Sequence, residues 1–177
     1  MKTTIVLVCG SDSSGKTTTI DKFFGSKYET CINHLRFYHR VIDSVNIYAL
    51  STCSPQERAK DFCNVEKVKA DIGFRIQECD KKANGKPYVL ILSYGIYEDT
   101  KREKLNDACF LEPYEWLRIE KDFKVFPWYL QKLNATKSTQ KDALARKICL
   151  DEKPTTREDY NKSKELEQIV KELIVEN

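Results

Sequence analysis

GSDSSGKTTT, residues 10–19, follows directly on the apolar run TTIVLVC, residues 3–9. The apolar run is typical of a buried strand, and a helix is predicted from about Gly15 to Phe24. The glycine-rich residues therefore stand at the point where a strand passes into a helix. This order of strand, loop and helix is stronger evidence for the fold than the residue pattern of the loop alone.

The loop satisfies the pattern G-x-x-x-x-G-K-[ST], with its fixed positions at Gly10, Gly15, Lys16 and Thr17. In this pattern backbone N–H groups surround phosphate oxygens at a helix N-terminus, and glycine is needed where a Cβ would obstruct a tight turn or the ligand. We expect Lys16 to reach the β- and γ-phosphates and the Thr17 hydroxyl to bind Mg²⁺. The residues predicted to hold the nucleotide are Gly10, Ser11, Asp12, Ser13, Ser14, Gly15, Lys16, Thr17 and Thr18. The alternative is a glycine-serine turn that happens to precede an ordinary helix.

Composition restricts the class of protein. The 177 residues, 41% hydrophobic, suffice for one domain, which we assign to residues 1–177. The 30 basic and 27 acidic residues are too balanced for a dedicated nucleic-acid or membrane-surface binder. The seven cysteines include no C-x-x-C pair, and the two histidines complete no zinc-ligand spacing. With no signal segment and no apolar run near ~18 residues, the sequence predicts a cytoplasmic protein.

Outside the loop, strand and helix patterns alternate. Strands are predicted at residues 33–42, 45–49, 87–95 and 123–130, and helices at 55–83, 138–150 and 156–176. The first two of these strands flank a turn at Asp43 and Ser44 and should pair antiparallel, whereas Thr155 and Glu158 suit a capping box. The alternation predicts an α/β fold, a three-layer α/β/α sandwich with a mainly parallel sheet. Together with the loop pattern, this arrangement resembles the fold of P-loop NTPases.

With Asp12, the loop resembles the G-x-D-G-x-G-K-[ST]-T loop of thymidylate kinases and related nucleotide kinases, although Ser13 replaces the usual glycine. In those kinases an arginine-bearing helix leads through a Gly-Lys turn into a buried strand. Here the helix with Arg75 leads through Gly85 and Lys86 into PYVLILS. The resemblance covers about half of the chain. It implies phosphoryl transfer from Mg²⁺-ATP, with GTP as the alternative donor, to a small-molecule acceptor.

The expected catalytic residues are Lys16, Asp12, Arg75 and Arg146. Arg146 and Arg157 flank CLDEKPTT and fit a lid that supplies guanidinium groups, although each also fits a surface ion pair. The stretch SYGIYEDTKREKL is somewhat similar to a cationic segment of adenylylsulfate and sugar-acid kinases, which would place Lys101 and Arg102 near phosphate. An exposed helix face explains those two cations as well.

One departure from the kinase pattern keeps other functions open. The strand at residues 87–95 ends Leu92-Ser93-Tyr94, where the family has an Asp-Arg pair. A second hypothesis is a GTPase-like switch, in which Gln56 would orient the attacking water, although the aspartate and glycine of D-x-x-G-Q-E and an N-K-x-D signature are absent. A third is a nucleotide-binding module without catalysis. The favoured prediction is a kinase acting on a nucleotide or small anionic metabolite, in an oligomeric state that the sequence leaves undetermined.

Overall fold

The computed structural model describes residues 2–11, 14–58, 64–96, 98–99, 104–105, 107–130, 144–145, 147–148 and 162–176. Its strands are β1 Thr4–Gly10, β2 Thr30–Ile32, β3 Leu35–Ile42, β4 Val45–Leu50, β5 Tyr88–Gly95, β6 Glu98–Asp99, β7 Lys104–Leu105 and β8 Lys124–Tyr129. Its helices are α1 Lys16–Phe23, α2 Pro55–Arg58, α3 Val65–Ala83, α4 Asp107–Glu115 and α5 Ser163–Val175, and a π-helical turn, Trp116–Glu120, follows α4. The predicted α/β class is confirmed.

Six strands form one mixed sheet in the order β2-β3-β4-β5-β1-β8. The four strands β4, β5, β1 and β8 run parallel, whereas β2, β3 and β4 pair antiparallel. The two short strands β6 and β7 pair separately. β1 is therefore an interior strand, and β5, which separates it from β4, is buried along its whole length.

Successive strand residues point to opposite sides of this sheet, so it has two apolar faces, and helices cover both of them. On the first face, called the α3 face, odd residues of β1 such as Leu7 pack with α3 residues such as Ile72. On the second, the α1 face, Val6 and Val8 pack with Ile20 of α1 and Leu166 of α5. Helices α3 and α5 bury apolar residues spaced three or four apart, such as Val68, Ile72 and Ile76 in α3 and Leu166, Val170 and Leu173 in α5.

The antiparallel pair β3 and β4 is joined at Asp43 and Ser44, as predicted. Both residues have positive φ angles, 48° and 66°, which is the conformation of a two-residue type I′ turn. A strand from residue 33 was predicted, but Asn33 and His34 also have positive φ, 47° and 64°. They form a second turn, which joins the unpredicted strand β2 to β3.

The single helix predicted at residues 55–83 is wrong, because the structure divides this stretch. Asn64 has an extended backbone, and its side chain accepts a hydrogen bond from Lys67 N, so α3 begins only at Val65. The predicted end of the helix is confirmed, since Asn84 adopts the left-handed conformation that ends α3. Residues 59–63 lie outside the described part of the chain.

The remaining predictions concern the C-terminal third. The strand predicted at 123–130 is confirmed as β8, and Pro127 lies in it at the edge of the sheet. Helix α4 with its internal Pro113 was not predicted. Most of 138–150 and the capping pair Thr155 and Glu158 lie outside the described residues, whereas the last predicted helix is present as α5. Among the described residues, no helix has the length and apolar character needed to cross a bilayer.

Candidate functional site

The predicted phosphate loop begins at the carboxyl ends of three parallel strands. Backbone hydrogen bonds hold the end of β1 on both sides: Ile96 N donates to Gly10 O (3.0 Å), and Leu130 N donates to Cys9 O (2.8 Å). The loop therefore starts from the end of an interior strand that is hydrogen-bonded on both sides. In open α/β sheets, ligands bind outside the carboxyl ends of the parallel strands.

Gly10 is required by close packing. A Cβ at this position would lie 2.2 Å from Ser14 Oγ, far inside normal contact, and 3.0 Å from Leu130 O, which is tighter than ordinary van der Waals contact. Ser14 N in turn donates to Ser11 O (3.2 Å), which closes a tight turn within the loop. Ser14 is thus packed against Gly10, and a larger residue at position 10 would displace it.

Gly15 sets the direction in which α1 begins. It is the N-cap residue and has φ 84° and ψ 18°, a left-handed conformation that glycine adopts without strain. The first turn of α1 contains no acidic residue. Because the first N–H groups of a helix have no carbonyl within the helix to bind, and the helix dipole is positive at this end, the N-terminus of α1 is suited to an anion.

Lys16 lies over this loop. Its side chain is only 5% exposed, and its ammonium donates a hydrogen bond to Ser11 O (2.7 Å). Thr17 is partly buried and Thr18 exposed, whereas Thr19 Oγ1 accepts a hydrogen bond from Lys162 N at the start of α5 (3.3 Å). Lys16 and Thr17 are therefore the first two residues of α1, at the helix N-terminus.

Arg75 is near the carboxyl end of β4, but its guanidinium is hydrogen-bonded to other groups of the protein. The side chain is fully buried, and each guanidinium nitrogen has a protein partner. Nε donates to Asp71 Oδ2 (2.7 Å), Nη1 to Leu50 O (2.7 Å) and Cys53 O (3.2 Å), and Nη2 to Cys53 O (3.2 Å). Burial lowers the pKa of Arg75, and the Asp71 carboxylate opposes that shift. Its hydrogen bonds therefore fix the segment after β4 to α3.

Gln56 is likewise engaged within the protein. Its side chain is buried; Oε1 accepts a hydrogen bond from Gly95 N (2.9 Å) and Nε2 donates to Cys109 O (3.3 Å). The amide thereby joins the end of β5 to α4. Tyr94 is held nearby, where its hydroxyl donates to Phe110 O (2.6 Å) and burial raises its pKa well above the ordinary value.

Two serines at the strand ends were not predicted as site residues. Ser51 directly follows β4 and Ser93 lies near the end of β5; both are buried, and within the part of the chain that the structure describes neither hydroxyl has a hydrogen-bond partner. Sequence reasoning noted Ser93 only as the position of a missing carboxylate. The available signal was a small polar residue that interrupts the otherwise apolar run of β5.

The other candidate residues lie outside the described ranges. These are Asp12, Ser13, Lys101, Arg102, Arg146 and Arg157. Among the described residues, no group of three or more histidine, cysteine, aspartate or glutamate side chains is arranged to hold a metal ion.

Comparison with known proteins adds no relative to these observations. No protein-family model, no curated protein and no solved structure matches the chain. The site therefore has to be interpreted from its own geometry.

Proposed function

We propose that this chain is a P-loop, kinase-like protein that binds a Mg²⁺-nucleoside triphosphate on the loop from Gly10 to Thr18. It transfers the γ-phosphoryl group to a nucleotide or another small anionic metabolite. The observation that carries the proposal is the loop itself: Gly10 packed at the end of β1, Gly15 left-handed before α1, and Lys16 folded onto the loop carbonyl of Ser11. ATP is the proposed donor, with GTP as the alternative.

The chemistry asked of the protein is positioning and charge stabilisation. Lys16 exchanges its hydrogen bond to Ser11 O for the β- and γ-phosphate oxygens, and the first N–H groups of α1 bind the β-phosphate. The bond from the γ-phosphorus to the bridging oxygen breaks, a bond to the acceptor oxygen forms, and the nucleoside diphosphate leaves. The acceptor proton passes to solvent or to a nearby base.

The described hydroxyls fit Mg²⁺. This cation prefers oxygen ligands and usually keeps several of its waters, so it needs few protein groups. Thr17 at the start of α1 supplies one hydroxyl, and Ser51 and Ser93 are orphaned hydroxyls at the neighbouring strand ends. When bound, the cation neutralises charge on the β- and γ-phosphates.

The arginine that stabilises the charge on the transferred phosphoryl group is proposed from the sequence. Arg75 is omitted from this role, because its hydrogen bonds to Leu50, Cys53 and Asp71 occupy the guanidinium. Arg146 keeps the role, and Asp12 that of a residue near the metal or the acceptor; both stand outside the described residues.

A nucleotide-hydrolysing switch or binding module is the second candidate. The observation in its favour is the neutral character of the two strand ends, where Ser51 and Ser93 supply no carboxylate. Gln56 does not support it, since its amide joins Gly95 to Cys109 and is not directed at a nucleotide. Any positioned water would need another residue to orient it.

A transfer assay distinguishes these functions. Protein with Mg²⁺ and ATP or GTP labelled on the γ-phosphate is incubated with nucleosides, nucleoside monophosphates and small anions. We expect label on one acceptor, and Lys16→Ala should abolish transfer while the fold is kept. Lys22→Ala, at the exposed far end of the same helix, is the matched control. Label found only in free phosphate would favour the switch, and undiminished transfer by Lys16→Ala would contradict the assignment of the loop.

A further inference from the structure

Ser51 and Ser93 are on the same face of the sheet as the phosphate loop. Side chains alternate along a strand, and Ala49 and Ile91, each two residues earlier, both pack on the α1 face. Ser93 pairs in register with Val8, two residues before Gly10. The two serines therefore point toward the side on which α1 begins.

Both serines also lie at the carboxyl ends of neighbouring parallel strands. The pairing of β4 with β5 runs from Asn46 and Tyr88 to Tyr48 and Leu90, and each serine comes three residues after the last pair. Both hydroxyls are buried, and neither has a hydrogen bond to any described residue.

A buried hydroxyl without a partner is unfavourable, so two such groups together require a reason. Neighbouring Ser54 shows the usual arrangement: its Oγ donates to Glu57 Oε2 (3.1 Å) and accepts from Glu57 N (3.3 Å). Alanine would be the more stable residue at positions 51 and 93 if only packing mattered. Each hydroxyl offers two acceptor lone pairs and one donor, which suits a water molecule fixed by a ligand.

We infer that the hydroxyls of Ser93 and Ser51 accept hydrogen bonds from water molecules bound to the divalent cation that accompanies the nucleotide. The inference rests on the proposed function, because the cation is brought by the triphosphate and bound directly by Thr17. The pair is uncharged, so it orients the waters without adding negative charge beside the phosphates. Ser93, on the strand adjacent to β1, is the nearer residue, and Ser51 extends the pair.

The test measures binding, not turnover. A fluorescent, non-hydrolysable ATP analogue is titrated in Mg²⁺ and in EDTA, and the ratio of the two dissociation constants gives the contribution of the cation. Because residues that orient a metal's ligands typically change metal affinity by about tenfold or more, Ser93→Ala should reduce this ratio by about tenfold, and Ser51→Ala should reduce it less. Binding in EDTA should stay the same.

Two controls separate the hydroxyls from packing. Ser54→Ala removes a buried hydroxyl that has protein partners, so it should lower Tm and leave the Mg²⁺ ratio unchanged; Ser93→Ala should not lower Tm. Ser93→Thr and Ser93→Val have nearly the same shape, and only the threonine should retain the ratio of the wild type.

The outcomes are distinct for the two proposals. If the wild type binds no analogue, or Lys16→Ala binds it equally well, the proposed function and this inference both fail. If binding depends on Lys16 but Ser93→Ala and Ser51→Ala keep the wild-type ratio, the inference alone is overturned. Equal ratios for Ser93→Thr and Ser93→Val would overturn it too.

Discussion

At the ends of β4 and β5, the two faces of the sheet differ: buried polar groups have hydrogen-bond partners on one face and lack them on the other. On the α3 face, Arg75 and Gln56 are hydrogen-bonded to the backbone around these ends. On the α1 face, Ser51 and Ser93 have no hydrogen-bond partner among the described residues. Satisfied polar groups hold a fold together, whereas orphaned ones mark a place for water or a ligand. Under the proposed function, the α3 face has a structural role and the α1 face a binding role.

The satisfied face depends on one buried charge. Asp71 Oδ1 contacts Arg58 Nε (3.0 Å) and its Oδ2 contacts Arg75 Nη2 (2.7 Å), so the carboxylate lies between two guanidinium groups. Arg75 also binds the carbonyl of Leu50, the last residue of β4. The described pairing of β4 with β5 ends at Tyr48. The guanidinium therefore donates to a carbonyl, that of Leu50, which lies beyond the residues of β4 that pair with β5.

The largest effect is expected from Arg75→Met, which removes this buried cation while keeping much of its volume. Breaking a buried ion pair leaves the partner charge and two carbonyls unsatisfied, so the free energy of unfolding should fall by about 3–5 kcal/mol. Urea denaturation at pH 7 measures the loss. Protein that remains folded should bind nucleotide with the affinity of the wild type.

Arg118→Ala is the control for Arg75→Met, since this arginine is exposed and lies over the ring of Tyr114. It should change stability by less than about 1 kcal/mol. A loss of nucleotide affinity in folded Arg75→Met, with stability nearly unchanged, would reverse the assignment of the α3 face and return Arg75 to the catalytic set.

A smaller effect is expected from a methyl group added at a glycine on each side of the sheet. Gly10→Ala places a Cβ against Ser14 Oγ and Leu130 O, so it should cost about 1–3 kcal/mol of stability and weaken nucleotide binding. Gly73→Ala in α3 has its nearest neighbour at 3.8 Å and should stabilise the protein by about 0.5–1 kcal/mol. Thermal unfolding and analogue binding are measured together. Tight binding by Gly10→Ala would show that the loop need not pack as described.

The sequence predicted best what depends on neighbouring residues. The strand, loop and helix around Gly10, and the turn at Asp43 and Ser44, follow from local backbone chemistry. The turn at Asn33 and His34 was missed, because the alternation of the following strand was extended back across it. Helix α4 was missed, since Pro113 and weak periodicity hide it.

The part of the site that depends on the whole fold could not be predicted. Arg75 on an isolated helix fits a catalytic cation and a structural one equally well; only the segment after β4, distant in sequence, supplies its acceptors. Likewise, Ser51 and Ser93 come to the same end of the sheet only because β5 lies beside β4 in the fold. Hydrogen-bond partners are properties of tertiary structure, and a pattern of letters does not contain them.

The smallest effect concerns an ion pair on the α1 side that is half exposed, in contrast to the buried pair of Asp71 and Arg75. Glu167 of α5 contacts Arg40 (3.0 Å) and Lys171 (2.9 Å). Hydrogen bonds from Lys171 and Arg40 lower the pKa of Glu167 below its ordinary value. A depressed carboxyl pKa contributes stability at neutral pH that is lost as the pH falls through the folded-state pKa.

Because water screens this pair, Glu167→Gln should cost only about 0.5 kcal/mol at pH 7. The difference from the wild type should shrink as the pH is lowered below the unfolded pKa of the carboxyl and vanish once Glu167 is protonated in both states. Urea unfolding of both proteins from pH 7 down to acid measures it, and nucleotide binding should not change at neutral pH. A cost as large as that of Arg75→Met would mean that the α1 side, too, is held together by charge, and the contrast between the two faces would then rest on the two serines alone.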